Sequence, residues 1–183
     1  MKRLIIVNGT MGVGKTAVCR ELQKLLPKNV FLDGDWCWYA KPFTVTEETK
    51  AMVMENIAFL LNSFLRCGEY ENVIFCWVLD EQETVDRLLS TLRTEDAETK
   101  IFTLTAREDT IRERLMKDVR NGFREEDVIR RSLEKLPKYE KLRTEKIDTS
   151  KMTVREAAEY IKGAFSKTES EAENVFQKKQ KRA

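Results

Sequence analysis

Short, continuously apolar runs alternate along the chain with longer stretches whose apolar residues recur at helical spacing. Leu4 to Val7 is apolar throughout and ends at Asn8-Gly9, the pattern of a strand buried on both faces. From Lys15 to Leu26 the period becomes helical: Val18, Leu22, Leu25 and Leu26 share one stripe, and Pro27 closes it. Val30-Phe31-Leu32 predicts a second strand, ended by Asp33-Gly34-Asp35. Thr44 and Glu47 stand at capping-box spacing. The helix that follows, over about Thr46 to Cys67, carries Val53, Ile57, Leu60, Leu61, Phe64 and Leu65 and is stopped by Gly68.

Val73 to Leu79 is the most apolar run and predicts a central strand ending at Asp80. A helix over about Glu83 to Arg93 leads to a strand at Lys100 to Thr105, and a further helix runs from Glu108 to Val119, broken by Asn121-Gly122. Another helix, about Glu125 to Leu136, is expected to end at Pro137, before a short strand near Lys146 to Asp148 and a last helix from Thr153 to Phe165. Strands alternate with helices throughout. That alternation predicts an α/β fold in which helices cover both faces of a parallel sheet. Residues 167–183 have no apolar stripe and end in Lys178-Lys179-Gln180-Lys181-Arg182, which reads as a charged tail on a single domain spanning 1–166.

Composition narrows the chemistry. The chain has 183 residues, 42% of them hydrophobic, with 33 Lys plus Arg against 31 Asp plus Glu, so no general attraction to nucleic acid or to an acidic membrane is expected. Histidine is absent. This excludes Ser-His and Cys-His nucleophile pairs, histidine-ligated zinc and a histidine general base. Cys19, Cys37, Cys67 and Cys76 form no Cys-x-x-Cys pair and read as reduced thiols. The apolar run after Lys2-Arg3 is too short for an export signal or a membrane span, so a cytoplasmic protein is expected.

The chemistry that remains is concentrated in one segment. Gly9-Thr10-Met11-Gly12-Val13-Gly14-Lys15-Thr16 fits G-x-x-x-x-G-K-[ST] at every fixed position and lies between the first strand and the first helix. Glycines let backbone N–H groups turn around phosphate oxygens, and the helix N-terminus adds its positive dipole end. Lys15 would reach the β and γ phosphates, and the Thr16 hydroxyl would ligate Mg²⁺. The overlapping Gly12-x-Gly14-x-x-Ala17, with Asp33 downstream, also meets the loose dinucleotide fingerprint. In that fingerprint, however, the first glycine directly follows the strand, and Lys15-Thr16 would have no task.

Among phosphate-loop proteins, a GTP switch should show D-x-x-G and N-K-x-D signatures, and neither occurs. Small kinases remain. Phe31-Leu32-Asp33-Gly34-Asp35 sets two carboxylates at the carboxyl end of a strand, where open α/β sheets bind ligands. One can serve a magnesium ion and the other can orient or deprotonate a hydroxyl.

With these motifs, residues 1–166 resemble the small P-loop kinases: gluconate kinase, shikimate kinase, adenylylsulfate kinase, chloramphenicol phosphotransferase and the nucleotide kinases. The resemblance rests on the phosphate loop and on Leu32-Asp33-Gly34-Asp35. It rests also on Arg114-Leu115 followed by Arg120-Asn121-Gly122-Phe123, and on Ile147-Asp148-Thr149-Ser150. It implies a three-layer P-loop fold, a five-stranded parallel sheet in the order 2-3-1-4-5, and a short mobile lid over about 119–128. It further implies ATP and Mg²⁺ as cofactors, with Gly9 to Ala17, Arg120 and Thr149 around the nucleotide and Thr16 and Asp33 at the metal. Lys15, Asp35 and Arg120 would be catalytic, with Arg124, Arg130 or Arg131 assisting; Arg112, Arg114 and Lys117 read as an ordinary solvated helix face. Asp118 stands where the group often has an arginine. Asp80 is left with two roles, a Walker-B-type acid or a helix cap.

Trp36, Trp38, Tyr39 and Phe43 follow Asp35, where the group builds its acceptor pocket, so Asp35, Trp36 and Tyr39 are the expected substrate residues. The function expected is transfer of the γ-phosphoryl group of ATP to the hydroxyl or phosphate of a small molecule, a nucleoside, nucleotide or other metabolite. The other readings are a nucleotide-binding regulator with no acceptor and a nucleic-acid-dependent NTPase using the basic tail.

Overall fold

The computed structural model describes residues 1–165; the charged tail expected at 167–183 lies outside the described residues. Five strands form one sheet: β1 (Lys2–Asn8), β2 (Asn29–Asp33), β3 (Asn72–Cys76), β4 (Ala97–Thr105) and β5 (Glu145–Asp148). Their order is β2-β3-β1-β4-β5 and every pairing is parallel, as expected. Five helices connect or follow them: α1 (Lys15–Leu25), α2 (Glu47–Arg66), α3 (Gln82–Ser90), α4 (Glu108–Arg120) and α5 (Asp127–Glu140). A sixth, α6, covers 154–165.

The apolar run of β1 is buried on both faces because adjacent side chains point to opposite sides of a strand. Ile5 and Val7 join the core under α1, α4, α5 and α6, whereas Leu4 and Ile6 join the one under α2 and α3. The α2 stripe at Val53, Ile57, Leu61 and Leu65 is buried as its spacing requires.

Three boundaries differ from expectation. The capping box of α2 is built by Thr46 and Thr49, not by Thr44 and Glu47. The Thr49 hydroxyl receives the Thr46 N–H and donates to the Thr44 carbonyl, so the helix starts two residues later than a Thr44 cap would place it. Strand β3 stops at Cys76, and Trp77 to Asp80 leave the sheet. Past that point the buried Asn8 side chain takes over the ladder's work: its Oδ1 accepts from Leu79 N at 2.8 Å and its Nδ2 donates to Leu79 O at 2.7 Å. Pro137 lies inside α5 rather than ending it. The missing N–H costs one helical bond, but Tyr139, 1% exposed, and the buried Leu142 hold the last turn against the core.

Candidate active site

The phosphate loop leaves β1 at Asn8 and enters α1 at Lys15. Gly9, Gly12 and Gly14 take φ values of +140°, +83° and +100°, conformations that side chains with a Cβ seldom adopt. Two of the three are also hemmed in. A Cβ on Gly9 would stand 2.5 Å from the Leu104 carbonyl oxygen, and one on Gly12 would stand 2.7 Å from Leu115 Cγ.

Further bonds clamp the loop from two sides. The Thr10 hydroxyl lies 2.9 Å from Ser132 Oγ and 3.0 Å from Ser132 O, while Ser132 Oγ donates to Met11 O at 2.7 Å. Ser132 is fully buried on α5. On the other side, Arg114 of α4 donates to Val13 O at 3.2 Å and to Thr149 O at 2.9 Å. Thr149 is itself 3% exposed, its hydroxyl 3.3 Å from Val13 O. Thr149, expected beside the nucleotide, thus braces the phosphate loop against the β5–α6 connection. Arg114, read from sequence as solvated, is half-buried and braces the same point.

In front of the loop lies a cavity of about 460 Å³ lined by Gly12, Gly14, Lys15, Thr16 and Ala17, with Asp33 and Asp35 opposite. Thr16 Oγ1 donates to Asp33 Oδ2 at 2.9 Å, and Asp33 Oδ1 accepts the Asp35 N–H at 3.2 Å. Lys15 Nζ donates to Thr10 O at 3.0 Å. Burial lowers the Lys15 pKa, and the proximity of Cys76, Asp35 and Asp33 opposes that shift. The sheet thus brings together Lys15, Thr16, Asp33 and Asp35, as the sequence pattern anticipates.

It does not bring in Arg120, Trp36 or Tyr39. Arg114, Lys117 and Asp118, at i, i+3 and i+4 of α4, line the cavity. Arg120, six residues beyond Arg114, is rotated about 120° away on the same helix and is exposed. Besides Arg114, the cavity is lined by Arg124, in the 121–126 connection, 3.5 Å from the Asp118 carboxylate. Lys117 is exposed, as a solvated face requires, and also lines the cavity.

Trp36 is 57% exposed and Tyr39 is 100% exposed, and neither lines the cavity. Gly34 to Trp38 wind into a short 3₁₀ turn that carries these rings outward while Asp35 points inward. The aromatic residue at the site is Trp77, hidden in sequence inside the apolar run VIFCWVL. Its Nε1 donates to Asp35 Oδ1 at 3.2 Å. Asp80 neither lines this cavity nor caps α3, whose N-cap is Glu81. It pairs instead with Lys135 at 3.0 Å and Lys138 at 3.7 Å.

Among the described residues no cluster of three or more His, Cys, Asp or Glu suits a metal. The Thr16–Asp33 pair still fits magnesium, which takes one or two protein oxygens and completes its shell with water and substrate phosphates. No described helix is long and apolar enough to cross a membrane.

A strand, a glycine loop with Lys-Thr at the helix start and this strand order define a P-loop fold of the kinase type. The chain belongs to the family described as an AAA domain, AAA_18, whose model matches residues 5–129. Solved structures sharing the fold include a tunicamycin resistance protein of Deinococcus radiodurans, with a TM-score of 0.71 and 21% identity over 90% of this chain and 96% of that one. A gluconokinase of Sinorhizobium meliloti 1021 matches at 0.66 and 20%, covering 96% and 97% of the two chains. A shikimate kinase of Acinetobacter baumannii in complex with shikimate matches at 0.62 and 20%, covering 92% and 95%. No curated protein matches in sequence.

Proposed function

We propose that the protein is a phosphotransferase that moves the γ-phosphoryl group of ATP to a small-molecule acceptor. The observation that carries this reading is the convergence of the phosphate loop, Lys15 and Asp35 in the lining of one cavity. Phosphoryl transfer needs positioning and charge stabilisation more than covalent chemistry, and these residue types supply both. The amides of Gly9 to Ala17 cradle the phosphates, and Lys15 and Arg124 bear on the transferred group. Thr16 and Asp33 would hold a magnesium ion, which would supply positive charge to offset that of the phosphates. Asp35 orients the attacking group and takes its proton.

The acceptor's place follows from Trp77. Its ring borders the nucleotide cavity on one side and, on the other, a second cavity of about 560 Å³ between α2, α3 and α5. That volume lies within the range of small-molecule sites. Trp77 is common to both linings, and the Asp35 carboxylate that its indole holds lines the nucleotide cavity.

A coupled ADP-release screen over nucleosides, nucleotides, sugars, shikimate-like acids and aminoglycoside- or phenicol-type drugs tests the proposal. At least one acceptor should raise ADP release above the rate with ATP alone, and Asp35→Asn should abolish that increment. An increment unchanged in Asp35→Asn contradicts the assigned base. Mg·ATP bound with no acceptor effect would instead indicate a regulator.

A further inference from the structure

The two cavities flanking Trp77 differ in charge. On the nucleotide side the lining cations are Lys15, Arg114, Lys117 and Arg124, against Asp33, Asp35 and Asp118. Beyond Trp77 the balance is even, and three of the four cations are held in ion pairs. Lys50 pairs with Glu47 at 2.8 Å, Lys135 with Asp80 at 3.0 Å, and Lys138 with Glu81 at 3.0 Å. The fourth cation, Arg87, stands one turn after Glu83 on α3.

A phosphate dianion entering this cavity would meet four carboxylates and would have to draw three of the four cations out of ion pairs. A hydroxyl both donates and accepts, so it can bridge a carboxylate and an ammonium without breaking their pair. Val53, Met54 and the Trp77 ring add an apolar wall suited to the carbon face of a ring compound.

We propose that the acceptor is an uncharged, hydroxyl-rich molecule of monosaccharide or nucleoside size, and that phosphate monoesters are excluded. The inference rests on the phosphotransferase reading above. In the step, the acceptor hydroxyl oxygen forms a bond to the γ-phosphorus while the bond from that phosphorus to the β,γ-bridging oxygen breaks. The bridging oxygen keeps the electron pair and leaves in ADP, and the hydroxyl proton passes to Asp35.

The test uses the full chain at saturating Mg·ATP with matched pairs: uridine and UMP, adenosine and AMP, glucose and glucose 6-phosphate. ADP release is measured for each, and Mg·ATP binding is followed by calorimetry. An uncharged member should accelerate ADP release, with its monoester about tenfold or more poorer. Glu83→Lys, which makes the lining net positive, should narrow that gap. The nucleoside and sugar arms tell the two ring types apart. A monoester equal to or better than its parent overturns the proposal and leaves the kinase reading intact. Mg·ATP binding with no uncharged member active overturns the proposal, and with no monoester active either it counts against the kinase reading as well. Failure to bind Mg·ATP overturns both.

Discussion

Trp77 Nε1 donates to Asp35 Oδ1 at 3.2 Å, so a residue leaving β3 sets the carboxylate that follows β2. Close packing makes this possible: a Cβ on Gly34 would stand 2.4 Å from Trp77 Cγ, and only glycine lets the indole lie against the turn. Trp77 acts as a positioning residue. Trp77→Phe keeps the ring and removes the donor, so kcat should fall about tenfold with little change in KM for ATP. Steady-state kinetics of the two proteins at varied ATP and acceptor checks this. Gly34→Ala should reproduce the loss by displacing the ring and should cost about 1–3 kcal/mol of stability.

The loop glycines separate strain from space. Gly9→Ala and Gly12→Ala force a Cβ into backbone or core at positive φ, whereas Gly68 has open space around it and no such φ. The first two should each lose about 1–3 kcal/mol in denaturant unfolding together with most nucleotide affinity. Gly68→Ala should be close to neutral in both measurements.

Ser132 links α5 to the phosphate loop through Thr10 and Met11 O. Ser132→Ala leaves buried polar atoms without that partner and should cost about 1–3 kcal/mol. Because the lost bonds hold the loop, Mg·ATP affinity measured by calorimetry should weaken as well. An unfolding loss without an affinity loss would show that the clamp serves the fold alone.

Much of the site was legible because it is contiguous. Gly9 to Thr16 carries its own strand and helix context, and Asp33 and Asp35 mark the end of β2, the next strand in sequence. Trp77, Arg114, Lys117 and Ser132 were not legible as site residues, since the sheet order and helix packing bring them in from β3, α4 and α5. Trp77 looked like core within an apolar run, and Arg114 looked like one more charge on a polar helix. The rings at Trp36 and Tyr39 misled in the opposite direction: a 3₁₀ turn after β2 faces them to solvent. Pro137 failed as a helix stop because buried residues beyond it outweigh one lost hydrogen bond.

Burial lowers the Lys15 pKa below the ordinary lysine value. Between the lowered and the ordinary value the folded protein holds fewer protons than the unfolded chain, so this residue makes stability rise with pH through that window. Below it both states are protonated and the cost of the buried charge is present in full. Phosphate binding requires the ammonium, so Mg·ATP affinity should decline as pH rises through the same window. Lys15→Arg, charged throughout, should remove that decline, and calorimetric titration over alkaline pH would show it.

The most direct test of phosphoryl transfer follows label from γ-labelled ATP into an acceptor found by the ADP-release screen, comparing the native chain with Lys15→Ala after circular dichroism shows both folded. The account predicts label in the acceptor with the native chain and background transfer only with Lys15→Ala. Undiminished transfer by folded Lys15→Ala would contradict it.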